Sequence, residues 1–268
     1  MSEAIFELSN VEFRYQDVAA LAGISLVIPR GKRVAILGAN GSGKSTLLRI
    51  LDALYFPEAG TVSAFGEPLD SRRMASEEQS FTFRRRVGFV FQNSDVQLFN
   101  ASVFDELAFG PLQLHWPTAH IRERVEEMLE TMGLTHLRDR PPHRLSGGEK
   151  KRVALASILI LDTEVLLLDE PTASLDPESK SQLIETLIDW GGNAKTLVMA
   201  THDLDIVEDA ADLCLVMQQG LLIAQGTPAD ILGDYELLRR TGLIHAHRHA
   251  HEDSRVHLHH HSHRHSPS

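Results

Sequence analysis

Nine residues, Gly38-Ala39-Asn40-Gly41-Ser42-Gly43-Lys44-Ser45-Thr46, constrain this chain more than any other stretch. They fit the pattern G-x-x-x-x-G-K-[ST]. The apolar run Arg33-Val34-Ala35-Ile36-Leu37 reads as a strand entering the loop, and a helix is expected from about Lys44. Glycines let the backbone wrap closely around phosphate oxygens, and the helix N-terminus adds positive potential. In such a loop Lys44 reaches the β- and γ-phosphates and Ser45 ligates Mg²⁺. Kinases, GTPases and ATPases all use this device, so alone it indicates only a nucleotide.

The rest of the chain alternates strand and helix signals. The first thirty-odd residues read as strands, with Val11, Phe13 and Tyr15 alternating with polar neighbours. Phe65-Gly66-Glu67-Pro68 is turn-like. From about Asn93 to Leu161 the character is helical: Ile121, Val125, Met128, Leu129 and Met132 share one helical face and Gly133 is a natural stop. Ser146 and Glu149 have capping-box spacing. Val165-Leu166-Leu167-Leu168 reads as a buried strand, and Asp176-Pro177 as an N-cap followed by proline at the first helical position. The strand Thr196 to Ala200, an acidic helix, and the strand pair 213–217 and 221–225 complete the pattern. Alternation of this kind predicts an α/β fold with a mostly parallel sheet and helices on both faces.

Two further motifs narrow the chemistry. Leu166-Leu167-Leu168 ends in Asp169 and Glu170. Asp169 is placed to hold Mg²⁺ through water and Glu170 to orient or deprotonate an attacking water. Arg144 to Arg152, RLSGGEKKR, is the most telling segment. At this point the chain, from about residue 3 to 232, resembles an ABC-transporter nucleotide-binding subunit. The resemblance implies a P-loop (RecA-like) core with an N-terminal antiparallel β part and an inserted α-helical subdomain at about 93–161, all within an ATPase domain spanning 1–244. It implies that Ser146, Gly147 and Gly148 of one copy cover the γ-phosphate bound to another. Glu149 stands where the family often has Gln, and either residue suits the capping box.

The other landmarks follow in order. Tyr15 resembles the aromatic that stacks on adenine, although the position also reads as a strand residue. Gln92 resembles the loop glutamine that contacts Mg²⁺ and senses the membrane partner. Ser174-Leu175-Asp176 resembles the loop that crosses the dimer interface, and His202 the histidine that contacts the γ-phosphate. ATP-binding residues implied by the motifs and the resemblance are therefore Tyr15, Gly38, Asn40, Gly41, Ser42, Gly43, Lys44, Ser45, Thr46, Gln92, Ser146, Gly147 and Gly148. The motifs and the resemblance likewise imply Lys44, Glu170 and His202 as the catalytic set and Ser45, Gln92 and Asp169 as the Mg²⁺ set. With every element in one chain, two copies arranged head-to-tail would make two complete sites, so an ATP-bound homodimer is expected.

Gln92 to Pro111, QNSDVQLFNASVFDELAFGP, is similar to the energy-coupling-factor group of importers, with Ser94 and Val96 departing from its pattern. That resemblance implies integral membrane subunits docking here, a peripheral position on the cytoplasmic face of the membrane, and a cargo of vitamins, cobalt or nickel. Phe99 and Phe104 are candidates for a docking groove or for the core, with at least one in the core.

Composition agrees. The formal net charge of -11 disfavours nonspecific nucleic-acid binding. The lone Cys214 excludes an intramolecular disulfide and suggests a reducing compartment. The start, MSEAIFELSN, has no signal-peptide pattern, and no apolar run approaches the roughly 18 residues of a membrane span.

Residues 245–268 hold ten of the fifteen histidines and are expected to form a disordered tail. The longest run is His259–His261, unlike a hexahistidine tag. Imidazoles at His245, His247, His249, His251, His257, His259, His260, His261, His263 and His265 suit Ni²⁺ or Co²⁺, with nickel bound more tightly. A solubilising tail and an opportunistic chelator remain the alternatives. Within the importer group the tail moves the balance toward nickel or cobalt. A His-rich GTPase metallochaperone would need an N-K-x-D-like motif, which Asn193-Ala194-Lys195-Thr196 does not supply. A DNA-repair ATPase is disfavoured by the acidic balance and by the absence of a long coiled coil.

Overall fold

The strands that carry the site are short apolar runs because both of their faces are covered. The computed structural model describes residues 3–173, 175–191 and 195–244. Ser174, Asn193, Ala194 and the histidines from His245 to His265 lie outside the described residues. The chain begins with β1 (Ala4–Tyr15), β2 (Val18–Pro29), β3 (Arg33–Leu37) and α1 (Lys44–Leu51). Then come β4 (Ala59–Ala64), β5 (Glu67–Pro68), α2 (Ser71–Met74), α3 (Glu77–Arg84) and β6 (Val87–Val90). Three helices follow: α4 (Val103–Gln113), α5 (Thr118–Thr131) and α6 (Gly147–Leu159). The chain returns to β7 (Val165–Asp169), α7 (Pro177–Gly191), β8 (Thr196–Thr201) and α8 (Leu204–Ala210). It continues through β9 (Leu213–Gln218), β10 (Leu221–Gly226), α9 (Pro228–Gly233) and α10 (Tyr235–Arg240).

The central sheet has the order β10-β9-β3-β8-β7-β6. Its pairings are parallel except for the antiparallel β9–β10 ribbon. A second, antiparallel sheet has the order β2-β1-β4-β5. The period-two geometry of each strand divides the core between the two faces. Val34 and Ile36, Val165 and Leu167, and Val198 and Ala200 face the antiparallel sheet and α1. Ala35 and Leu37, Leu166 and Leu168, and Leu197 and Met199 face the opposite helical layer. The expected α/β architecture, with an antiparallel part and helices inserted between two strands of the parallel sheet, is thus realised.

Local signals explain most boundaries. On α5, Ile121, Val125 and Leu129 are buried, with Met128 and Met132 partly buried beside them. Gly133, at φ 65°, ends that helix, and the Leu134 N–H donates to the Leu129 carbonyl at 2.7 Å. At α6 the Ser146 hydroxyl accepts from the Glu149 N–H and the Glu149 carboxylate accepts from the Ser146 N–H. At α7 the Asp176 carboxylate accepts from the Ser179 N–H at 3.0 Å. Phe104 packs on the core beneath the Arg138 guanidinium, whereas Phe99 is 67% exposed, so the pair divides between core and surface.

The strand register fixes where the functional loops emerge. Leu37 lies opposite Thr201, and Asp169 lies opposite Ala200. Gly38, Glu170 and His202 therefore leave the carboxyl ends of three adjacent parallel strands, the edge at which open α/β sheets bind ligands.

Candidate nucleotide-binding site

Close backbone approach makes the glycine loop. A Cβ on Gly38 would fall 2.4 Å from the Met217 carbonyl and 2.5 Å from Ser42 Oγ. A Cβ on Gly43, at φ 104°, would fall 2.5 Å from the Ala20 carbonyl. The loop is thus clamped between β2 and β9 in a shape side chains would prevent. No side chain caps α1 and no acidic residue occupies its first turn, so its positive end is available to an anion. The Ser42 hydroxyl is buried here without a hydrogen-bond partner.

Lys44 is 5% exposed. Its ammonium donates to the carbonyls of Gly38 at 2.8 Å and Ala39 at 3.3 Å, and lies 3.6 Å from Glu170 Oε1. The other Glu170 oxygen is 2.9 Å from His202 Nδ1, a pair that becomes a hydrogen bond when Nδ1 carries a proton. Glu170 itself is 4% exposed and has φ 48°, a left-handed conformation for a non-glycine residue. Its N–H donates to the Ala200 carbonyl at 2.9 Å. The neighbouring Asp203 is anchored: its N–H donates to Thr201 Oγ1, and its carboxylate accepts from Thr172 and Lys180.

Ser45 Oγ donates to Asp169 Oδ1 at 2.8 Å. Burial pushes the Asp169 carboxyl up, opposed by the Ser45 hydroxyl and the Arg49 and Lys44 cations and reinforced by Glu170. A hydroxyl bonded to a buried carboxylate beside the phosphate loop is a hard-oxygen set suited to Mg²⁺, whose charge would also keep Asp169 ionised. Tyr15 is 38% exposed, with its hydroxyl 3.3 Å from Thr46 Oγ1 and its ring edge-on to Phe13 and Tyr55. One aromatic face can therefore be offered to a planar base.

A cleft of about 460 Å³ brings Tyr15, Asn40 through Thr46, Gln92 and Glu170 together. Ser146, Gly147 and Gly148 do not line it; Gly147 borders a separate cleft with Gln92, Asn93 and Lys151. Gln92 borders both clefts, whereas Gly38, Asp169, His202, Ser146 and Gly148 line neither. Among the described residues, no group of three or more His, Cys, Asp or Glu is placed to hold a metal ion. Nor is any helix among them long and apolar enough to cross a membrane.

Lys151 is a site residue that the sequence reading passes over. It is 5% exposed, and its ammonium donates to the carbonyls of Gln92 at 3.0 Å, Glu170 at 3.2 Å and Phe91 at 3.5 Å. Burial holds its pKa down to about 8 against the pull of Asp169 and Glu170. In sequence it belongs to the charged run Glu149-Lys150-Lys151-Arg152, which reads as a solvated helix face. The available signal is its position three and four residues before the buried Ala154 and Leu155.

Comparison with known proteins agrees with this geometry. The ABC transporter family model matches residues 21–173. The nickel import ATP-binding protein NikO of Rhodobacter capsulatus is 57% identical over 242 residues, covering 89% of this chain and 95% of that protein. The energy-coupling factor transporter ATP-binding protein EcfA of Methanothermobacter thermautotrophicus is 43% identical, covering 89% of this chain and 76% of that protein. Among solved structures, CbiO1 of Clostridium perfringens, described as part of the ABC transporter complex CbiONQ, has a TM-score of 0.76 at 38% identity. That match covers 90% of this chain and 96% of CbiO1. The glycine loop, the paired carboxylates and the sheet that carries them therefore have one explanation: the chain belongs to the ABC transporter family of ATP-binding ATPases.

Proposed function

We propose that this chain is the ATP-hydrolysing subunit of an energy-coupling-factor importer for nickel or cobalt ions, working as a homodimer against integral membrane subunits. Residues 1–244 are taken as the ATPase unit, with 93–161 as its helical subdomain and 245–268 as a separate tail. The observation that carries the ATPase chemistry is the constellation of Lys44, at the start of α1, with Glu170 and His202, which follow β7 and β8.

In this reading Tyr15 stacks on adenine and the loop from Gly38 to Thr46 wraps the phosphates. Lys44 exchanges its carbonyl partners for β- and γ-phosphate oxygens. Ser45, Asp169 and Gln92 would hold Mg²⁺, which would supply neutralisation of phosphate charge. Glu170 orients or deprotonates the attacking water, and His202 turns from Glu170 toward the γ-phosphate. The separation of Ser146–Gly148 from the Lys44 cleft supports their acting on nucleotide held by a second copy. Closure and reopening of that dimer would drive the membrane subunits.

Docking is supported by a largely apolar groove of about 420 Å³ that includes Leu54, Phe91, Val96, Phe99, Phe109 and Leu114. Val96 and Phe99 are each 67% exposed on its rim. Such a surface suits an apolar helix of a membrane partner, which supports reading this chain as peripheral at the cytoplasmic face. The metal cargo is supported by the 57% identity to a protein named for nickel import and by imidazole chemistry in residues 245–268. The tail is read as an accessory Ni²⁺ or Co²⁺ ligand set, outside the transport path. The test is ATP-dependent uptake of radiolabelled Ni²⁺, Co²⁺ and vitamins by the complex reconstituted with its membrane subunits, with the full chain and with a chain ending at Ile244. Metal uptake is expected from both chains. Vitamin uptake without metal uptake would overturn the cargo and leave the ATPase reading intact.

A further inference from the structure

We propose that Lys151 is a positioning residue for ATP hydrolysis, holding the Glu170 backbone and the Gln92 carbonyl to α6 so that the geometry of the catalytic carboxylate depends on where that helix sits. Its ammonium has three N–H donors and three carbonyls within reach: Gln92 at 3.0 Å, Glu170 at 3.2 Å and Phe91 at 3.5 Å. These carbonyls belong to two separate segments, one leaving β6 and one leaving β7. The ammonium itself belongs to α6, whose first turn carries the Ser146–Glu149 capping box. One buried cation therefore ties together the partner-facing helix, the segment of Gln92 and the catalytic carboxylate.

The conformation of Glu170 sharpens the argument. At φ 48° it occupies a region that side-chain-bearing residues rarely adopt and that needs its surroundings to hold it. Both of its backbone polar groups are fixed: the N–H donates to the Ala200 carbonyl, and the carbonyl accepts from the Ala173 N–H at 3.2 Å and from the Lys151 ammonium at 3.2 Å. This backbone geometry aims the carboxylate between Lys44 and His202. Without the ammonium the carbonyl would keep only the local Ala173 N–H, which moves with the same turn, so the turn could shift away from α6 and carry the carboxylate off its partners. Filling the volume alone would not call for an ammonium, since the next residues on the same face, Ala154 and Leu155, pack with apolar side chains. The hydrogen bonds of the Lys151 ammonium all go to backbone carbonyls and none to the Glu170 carboxylate, so its proposed effect on turnover passes through the backbone it holds.

The experiment compares Lys151→Met, Lys151→Gln and Lys151→Arg in the full chain. Steady-state kcat and KM for ATP are measured, with burial of the Cys214 thiol monitored as the check on folding. Lys151→Met is expected to lower kcat by about ten- to a hundredfold, the scale of an ångström-level misplacement, with KM within about twofold. Lys151→Gln, which keeps two N–H donors, is expected to fall between native and Met, and Lys151→Arg to return kcat to within about threefold of native. If Lys151→Met fails to bury its thiol, the Gln and Arg variants carry the same comparison. The proposal is overturned if a folded Met or Gln variant keeps native kcat, if KM rises while kcat holds, or if Arg is as deficient as Met.

Discussion

Replacing Glu170 by glutamine separates two effects that this site combines. The native carboxylate lies 3.6 Å from Lys44 and is 4% exposed. At an effective dielectric constant of about 20, that separation corresponds to an attraction of about 5 kcal/mol before desolvation is counted. A γ-phosphate arriving at Lys44 must compete with this attraction and is repelled by the same carboxylate. Glutamine keeps the shape and removes both terms. If about a quarter of the gross energy survives desolvation and relaxation, ATP binds more tightly by about 1 kcal/mol, or about fivefold. Turnover moves the other way, because the amide cannot accept a proton from the attacking water; a loss of about 10²- to 10⁴-fold is expected. Fluorescent-nucleotide titration reads the first effect and phosphate release reads the second. A variant that turns over within threefold of native, or that binds ATP more weakly, would refute the assignment of Glu170 and its pairing with Lys44.

Three further outcomes follow from the same coordinates. Tyr15→Ala is expected to weaken ATP by about 5- to 100-fold, the worth of one base–aromatic stack, while Tyr15→Phe retains most of the affinity; equal affinities would remove Tyr15 from the site. Cys214 is fully buried and burial pushes its thiol up to about 11, so a thiol reagent at pH 8 meets about a hundredfold less thiolate than in the unfolded chain. Labelling should therefore track unfolding, and rapid labelling of the native protein would contradict the buried position. Burial also raises the Asp52 carboxyl to about 6, against the opposing Arg84 guanidinium at 2.9 Å. Because the folded value lies above the ordinary 3.8, the unfolded chain releases this proton first, and the group's stabilising contribution is lost as pH rises from about 4 through about 6. Asp52→Asn should thus gain stability relative to native over that window, by at most about 3 kcal/mol; a flat difference in melting temperature with pH would contradict the assignment.

Where a segment buries a periodic apolar face, the sequence was informative. The run Val165–Leu168, the α5 stripe of Ile121, Val125 and Leu129, and the Ser146–Glu149 box all stand where pattern and capping chemistry place them. The helices α2 and α3 lacked an apolar stripe: across both, Phe83 alone is buried, and the Asp70 cap is the signal that marks α2. The six-residue helices α9 and α10 are likewise too short to show a period. Within the cleft, motif spacing named Asn40 through Thr46 and Glu170, and the family resemblance added Tyr15 and Gln92; Val18, Ala19 and Ala20, which also line it, lie in a strand with no motif to mark them. Motif spacing could not say that Gly147 borders a different cleft, which depends on how α6 packs. Lys151 was hidden by its charged neighbours, because burial of a cation depends on carbonyls supplied by segments about sixty and nineteen residues away.

The composite site is the center of this account, and the mass of the Glu170→Gln chain with MgATP tests it most directly. The single chain has a mass of 29.8 kDa. Sedimentation at saturating MgATP should give a dimer of twice that mass, which reverts to monomer without nucleotide and fails to form when Ser146 is replaced by arginine. A chain that stays monomeric at saturating MgATP, or a dimer indifferent to Ser146, would contradict it.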